Sequence, residues 1–172
     1  MRLLFQMDAK DYEPGARRFM RPSVRGIIIR GNTIAMVHSL KYDYYKFPGG
    51  GIEQGESYLG ALCREVSEES GLQVKKDTVK EYGLVPRVEK GKRAEVFVQD
   101  NFYYLCETEE QPLSQNLDDY EAEERFTLEF VNPVQAIIVN RNHPHGPKNL
   151  NMLEREAKVL ECLLKEGYFS EE

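Results

Sequence analysis

Residues 50–72 read GGIEQGESYLGALCREVSEESGL, a glycine run that leads into a segment dense in glutamate. Ser57 stands where a helix N-cap is wanted and Gly71 where a helix stops, so the spacing predicts a helix over 57–70. At about 100° per residue, Leu59, Leu62, Cys63 and Val66 share one arc and form the expected core stripe. Arg64, Glu65, Glu68 and Glu69 fall on a separate arc, with Glu65 one turn from both Glu68 and Glu69. Each like-charge pair at that spacing costs roughly 0.2–0.5 kcal/mol, and Arg64 is the only cation between Glu56 and Val74. A solvated acidic face is the ordinary reading of such a run. It leaves the repulsion uncompensated, whereas hard cations such as Mg²⁺ or Mn²⁺ take carboxylate and loop-carbonyl oxygens as ligands.

Gly50, Glu56 after five residues, and Arg64-Glu65-Val66-Ser67-Glu68-Glu69-Ser70-Gly71-Leu72 after seven more match the Nudix box, G-x5-E-x7-R-E-U-x-E-E-x-G-U with U aliphatic, at every specified position. The chain thus resembles the Nudix hydrolase superfamily and its MutT-like members. The preceding Phe47-Pro48-Gly49-Gly50 is similar to the family's approach to the box. The resemblance implies an α/β/α sandwich with a mixed β-sheet between helices. It also implies metal-dependent hydrolysis of a nucleoside diphosphate linked to another moiety, with Mg²⁺ or Mn²⁺ as cofactor and water attacking phosphorus. By the same resemblance, Glu65 and Glu69 are the principal metal-ligating pair and Glu68 an additional ligand. Glu56 is the supporting loop carboxylate, Gly49 offers a carbonyl oxygen, and Arg64 orients the helix carboxylates. A metal-activated water must lose its proton to a carboxylate. Glu68 is the candidate inside the box, and Glu109, Glu110, Glu121 and Glu123 are candidates outside it.

Working outward, 172 residues suffice for one well-cored domain, expected to span 1–172. The net charge is −6, and eight acidic residues with no Lys or Arg lie from Glu107 to Glu124. That balance argues against a nucleic-acid polymer or an anionic membrane as partner and leaves a small phosphate-bearing nucleotide. No stretch approaches the ~20 apolar residues of a membrane span. Cys63, Cys106 and Cys162 have no close spacing and read as reduced thiols, which with the lack of a secretory pattern points to the cytoplasm.

Strands are expected over 24–30 and 33–38 around a Gly31-Asn32 turn, over 79–89 and 94–107, and over 126–131. The run Pro48-Gly49-Gly50-Gly51 reads as loop. Asn132-Pro133 starts a short helix, and Leu150, Leu153, Ala157, Leu160 and Leu164 mark an amphipathic helix over about 149–166. Tyr42, Tyr44, Tyr45, Phe47, Phe102, Tyr103 and Tyr104 divide between core packing and a platform for a nucleobase. Arg25, Arg87, Lys90, Lys92 and Arg93 divide between exposed turns and grips for a phosphate or ribose. His38, His143 and His145 are acid–base candidates by residue type alone. Nucleotide-sugar or ADP-ribose hydrolysis and cleansing of nucleoside triphosphates both fit, and a catalytically silent sensor of nucleotide derivatives is the competing class. A homodimer is compatible with the terminal helix and the sheet edges.

Overall fold

The computed structural model describes residues 1–170. Strands β1 (Met7–Asp8), β2 (Arg18–Met20), β3 (Ser23–Ile27), β4 (Ile29–Arg30), β5 (Thr33–Ser39), β6 (Tyr44–Lys46) and β7 (Gly49–Gly51) precede helix α1 (Tyr58–Ser70). Then come β8 (Lys80–Lys90), β9 (Val96–Leu105), α2 (Asp119–Glu123), β10 (Phe126–Val131), α3 (Pro133–Asn142) and α4 (Leu150–Lys165). The fold is mixed α+β. One sheet runs β1-β8-β9-β3-β7 with β2 also on β9, and a second runs β10-β5-β4 with β6 on β5. Strand β9 pairs antiparallel with β8 along its length, and its other edge is shared end to end by β2 and β3, both parallel to it.

Strand β5 shows how the helices are divided. Ile34 and Met36 pack with residues of α3 and α4, while Ala35 packs with Ala61, Leu62 and Val66 of α1. Alternate residues of a strand face opposite ways, so α1 and the α3–α4 pair cover opposite faces. No helix among the described residues is long and apolar enough to cross a membrane.

Three local expectations are corrected. The apolar run over 24–30 is not a single strand: β3 belongs to the first sheet and β4 to the second, with Ile28 between them, and it is β4 alone that forms the expected hairpin with β5 across Gly31-Asn32. Every residue of β3 is buried, and the carbonyl of Ile28 accepts from Ala35 N–H at 2.9 Å. The chain therefore crosses between sheets while these backbone groups stay paired.

Gly49–Gly51 is not loop but β7, paired antiparallel with Ser23, Val24 and Arg25. Gly49 has φ +152°, and a Cβ there would sit 2.0 Å from the carbonyl oxygen of Val24. The glycines permit a backbone approach that a side chain would block.

Helix α1 is capped as expected, by the Ser57 side chain accepting from Gly60 N–H and by Gly71 in the left-handed region. Its buried residues are Ala61, Leu62, Val66, Glu69 and Ser70, whereas Leu59 is exposed and Cys63 half-buried. The helix is rolled toward its acids relative to the apolar stripe, and one glutamate is packed inside.

Candidate active site

The helix roll sets the site. Glu69 is 0% exposed; its Oε1 accepts from the Gly49 backbone N–H at 2.9 Å and its Oε2 lies 2.6 Å from the Lys46 ammonium. Burial pushes the Glu69 carboxyl up to about 7 against the pull of Lys46. Lys46 ends β6 and Gly49 begins β7, so the turn at Phe47-Pro48 delivers both partners to the helix.

Arg64 gathers the other box acids. Its Nε and Nη2 donate to the two oxygens of Glu56 at 2.8 and 2.9 Å, and its Nη1 donates to Glu65 at 2.8 Å and to Glu68 at 3.2 Å. Nη2 also donates to the Gly51 carbonyl at 3.1 Å, which ties the helix to β7. The guanidinium holds the Glu56 carboxyl below its usual range. Glu65 packs against the glycine strand so closely that a Cβ on Gly50 would fall 2.4 Å from its Oε2.

Two cavities open beside this cluster. One, of about 280 Å³, is bordered by Gly49, Gly50 and Glu65 and by Arg25, Lys46 and Arg87 from the strands. The other, of about 330 Å³, is bordered by Arg64, Glu65 and Glu68 and by Asn116. Glu65, Asp118 and Glu121 border both. Glu121 arrives on α2, a helix not expected in the acidic stretch although Asp118 and Glu121 carry the spacing of a capping box. The Asp118 side chain accepts from Glu121 N–H while Glu121 Oε2 accepts from Asp118 N–H at 2.9 Å. Burial pushes the Glu121 carboxyl up.

The structure thus brings Gly49, Glu56, Arg64, Glu65, Glu68 and Glu69 together where β7 meets α1. Among the described residues, no three Asp, Glu, His or Cys side chains already converge as a metal site. Of the carboxylates proposed outside the box, only Glu121 borders these cavities; Glu123 pairs with Lys41, and the backbone carbonyls of Glu109 and Glu110 accept from Arg30. His38 lies 2.7 Å from Glu129 and 2.8 Å from Asp43, His143 lies 3.0 Å from Asp43, and buried His145 sits 3.0 Å from the carbonyls of Tyr42 and Asn140. None of the three borders either cavity. Tyr44, Tyr45, Phe47 and Tyr103 are core residues. Lys90, Lys92 and Arg93 border, with Phe19, a further cavity of about 580 Å³ that shares Arg21 and Phe97 with the first. Lys46, Arg21 and Gln99 border the first cavity too, and no motif marks them, because each lies on or beside a strand outside the box.

The family model for the NUDIX domain matches residues 20–155. Among solved structures, the E. coli ORF135 protein is 20% identical with a TM-score of 0.54, over 86% of this chain and 93% of that one. The MutT NUDIX hydrolase from Burkholderia pseudomallei is 18% identical with a TM-score of 0.55, over 83% and 98%. A NUDIX hydrolase from Nitrosomonas europaea is 14% identical with a TM-score of 0.57, over 82% and 90%. No curated protein matches the chain. With the family match spanning most of the sequence and the box acids assembled around one helix, the chain belongs to the NUDIX family. It is a Nudix-type pyrophosphohydrolase, of a family that acts on small nucleotide derivatives and generally uses divalent metal ions.

Proposed function

We propose that this chain hydrolyses a nucleoside diphosphate linked to another moiety, of the nucleotide-sugar or nucleoside-triphosphate type, with Mg²⁺ or Mn²⁺ held by Glu65 and Glu69 and assisted by Glu68, Glu56 and the Gly49 carbonyl. The observation that carries this reading is the grip of one guanidinium, Arg64, on Glu56, Glu65 and Glu68 at the edge of a cavity. The donors are all oxygens, as a hard cation requires. Glu69, however, is buried with Oε1 on Gly49 N–H and Oε2 on Lys46 and borders neither cavity, so it would ligate only once Lys46 gives way. Glu65 and Glu68 each engage Arg64 through a single oxygen. When bound, such a cation offsets phosphate charge and makes a water more acidic.

The chain's own groups supply the rest. Arg64 fixes three carboxylates in one orientation, so little reorganisation is needed at the site. Lys46 offsets the charge of Glu69 and holds it against Gly49 N–H. Glu121 borders both cavities together with Glu65, and we assign it the proton of the attacking water. Glu68, half-buried at the rim and fastened to Arg64, is the second candidate for that proton. We read residues 1–172 as one catalytic unit of the cytoplasm, a reading supported by the three free thiols.

A panel of nucleoside triphosphates and nucleotide sugars, assayed with each metal and with products identified, tests the reading. Some member should be turned over, and Glu65→Gln and Glu69→Gln should each lose at least about 100-fold in kcat while far-UV circular dichroism stays native. No turnover across the panel, or full rate in the folded variants, overturns it.

A further inference from the structure

Behind the box, on the strand side of the first cavity, lie two buried arginines whose guanidinium donors are only partly engaged by the chain itself. Arg25 of β3 and Arg87 of β8 are 6% and 8% exposed. Arg25 donates one long bond, 3.3 Å from Nη1 to the Gly49 carbonyl; its Nε has no acceptor, and it pairs with no carboxylate among the described residues. Arg87 reaches Glu89 at 3.3 Å through Nη2 but leaves Nε and Nη1 without acceptors. Glu89 is shared, since Asn149 and Asn151 donate to it at 3.0 and 3.2 Å. Burial pulls Arg87 down to about 10.

The neighbouring acceptors are already engaged. Arg155 takes Glu156 at 2.9 Å and the side-chain carbonyl of Gln99 at 2.9 Å, and the Gln99 amide donates to Ser23 at 3.0 Å. Glu156 also accepts from Tyr103. Arg21 borders the same cavity, its Nε 3.3 Å from where a Gly51 Cβ would be, without a carboxylate partner among the described residues. Incompletely partnered buried charge is unfavourable, and these arginines border a cavity whose lining also carries Lys46 and the carboxylates of Glu65, Asp118 and Glu121.

We propose that Arg25 and Arg87, with Arg21 at the rim, bind a terminal phosphate of the substrate. The inference rests on reading this cavity as the active site and narrows the substrate to a nucleoside polyphosphate. A terminal phosphate carries a charge of about −1.5 to −2 at neutral pH and accepts forked donation from guanidinium groups. A bridging phosphate of a nucleotide sugar, or a carboxylate, brings a single charge to two cations.

The test is calorimetric titration of tripolyphosphate, with citrate as the carboxylate comparison, into the full chain in the presence of chelator. Tripolyphosphate should bind more tightly than citrate, and Arg25→Gln and Arg87→Gln should each weaken it at least tenfold, with Arg87→Lys intermediate. Kinetically, Arg25→Gln should raise KM for a nucleoside triphosphate at least tenfold more than it raises KM for a nucleotide sugar. Should Arg87→Gln fail to fold, Arg25→Gln and Arg87→Lys decide. Unchanged tripolyphosphate affinity in the folded variants, or citrate binding as tightly through the same arginines, overturns the proposal. Arginine-dependent tripolyphosphate binding in a chain that hydrolyses nothing would leave the phosphate site standing and defeat the proposed hydrolysis. Hydrolysis with arginine-independent binding would do the reverse.

Discussion

Lys46 Nζ lies 2.6 Å from Glu69 Oε2, and the two side chains are 9% and 1% exposed. Strand β6 and helix α1 are locked together by this pair at the centre of the site. Removing one partner from a buried pair costs about 3–5 kcal/mol. Lys46→Met should therefore lower the urea unfolding free energy by about 3 kcal/mol, because Glu69 is left to protonate in an apolar setting. Lys46→Met combined with Glu69→Gln should cost clearly less than the two single changes added together. Strict additivity in the unfolding free energies would show that the pair is not coupled.

Two adjacent glycines should fail in different ways. Alanine at 49 would place Cβ 2.0 Å from backbone oxygen at a φ of +152°, so Gly49→Ala should destabilise the chain by about 3 kcal/mol. At Gly50 the obstacle is the carboxylate of Glu65, a side chain that can swing away. Gly50→Ala should keep a melting temperature near that of the parent while losing most turnover. Equal thermal losses for both would refute the distinction.

Arg64 binds Glu56 with two nitrogens and reaches Glu65 and Glu68 with a third. A lysine ammonium keeps the charge but not the fork. Arg64→Lys should lower metal affinity or kcat about 10–100-fold, read by titrating Mn²⁺ against activity, with unchanged values counting against its orienting role.

Glutamine suits the third position of a helix as a capping-box partner, so Glu121→Gln should preserve α2 and remove only the titrating carboxyl. The expected result is a fall in kcat of about 10²–10⁴-fold with KM little changed, and a smaller fall for Glu68→Gln. The opposite ranking would transfer the proton-accepting role to Glu68.

Asp43 is held below its ordinary range chiefly by the hydrogen bond from His38, opposed by burial and helped by His143. A lowered carboxyl stabilises the fold above its unfolded pKa of about 3.9 and loses that contribution as the pH falls through the lower folded value. Because Asp43 is 48% exposed, screening limits the effect to about 0.5 kcal/mol. The stability gap between the parent and Asp43→Asn should persist at pH 6 and narrow below pH 4. A gap constant down to pH 3 would mean that the shift is not there.

The box could be read from the chain alone. Its helix caps, the spacing of Glu56, Arg64, Glu65, Glu68 and Glu69, and the likeness to a Nudix box are local facts, set by periodicity and residue type. Helix α3 behind Asn132-Pro133, helix α4 and strand β10 were legible for the same reason. Packing had to settle that Gly49–Gly51 pairs as a strand, because that pairing depends on how closely Val24 approaches. Nor does any local pattern place Lys46 against Glu69, or Arg25 and Arg87 around one cavity. These arrangements join residues distant in the chain, and their energies depend on a burial that exists only once the sheets and α1 have come together.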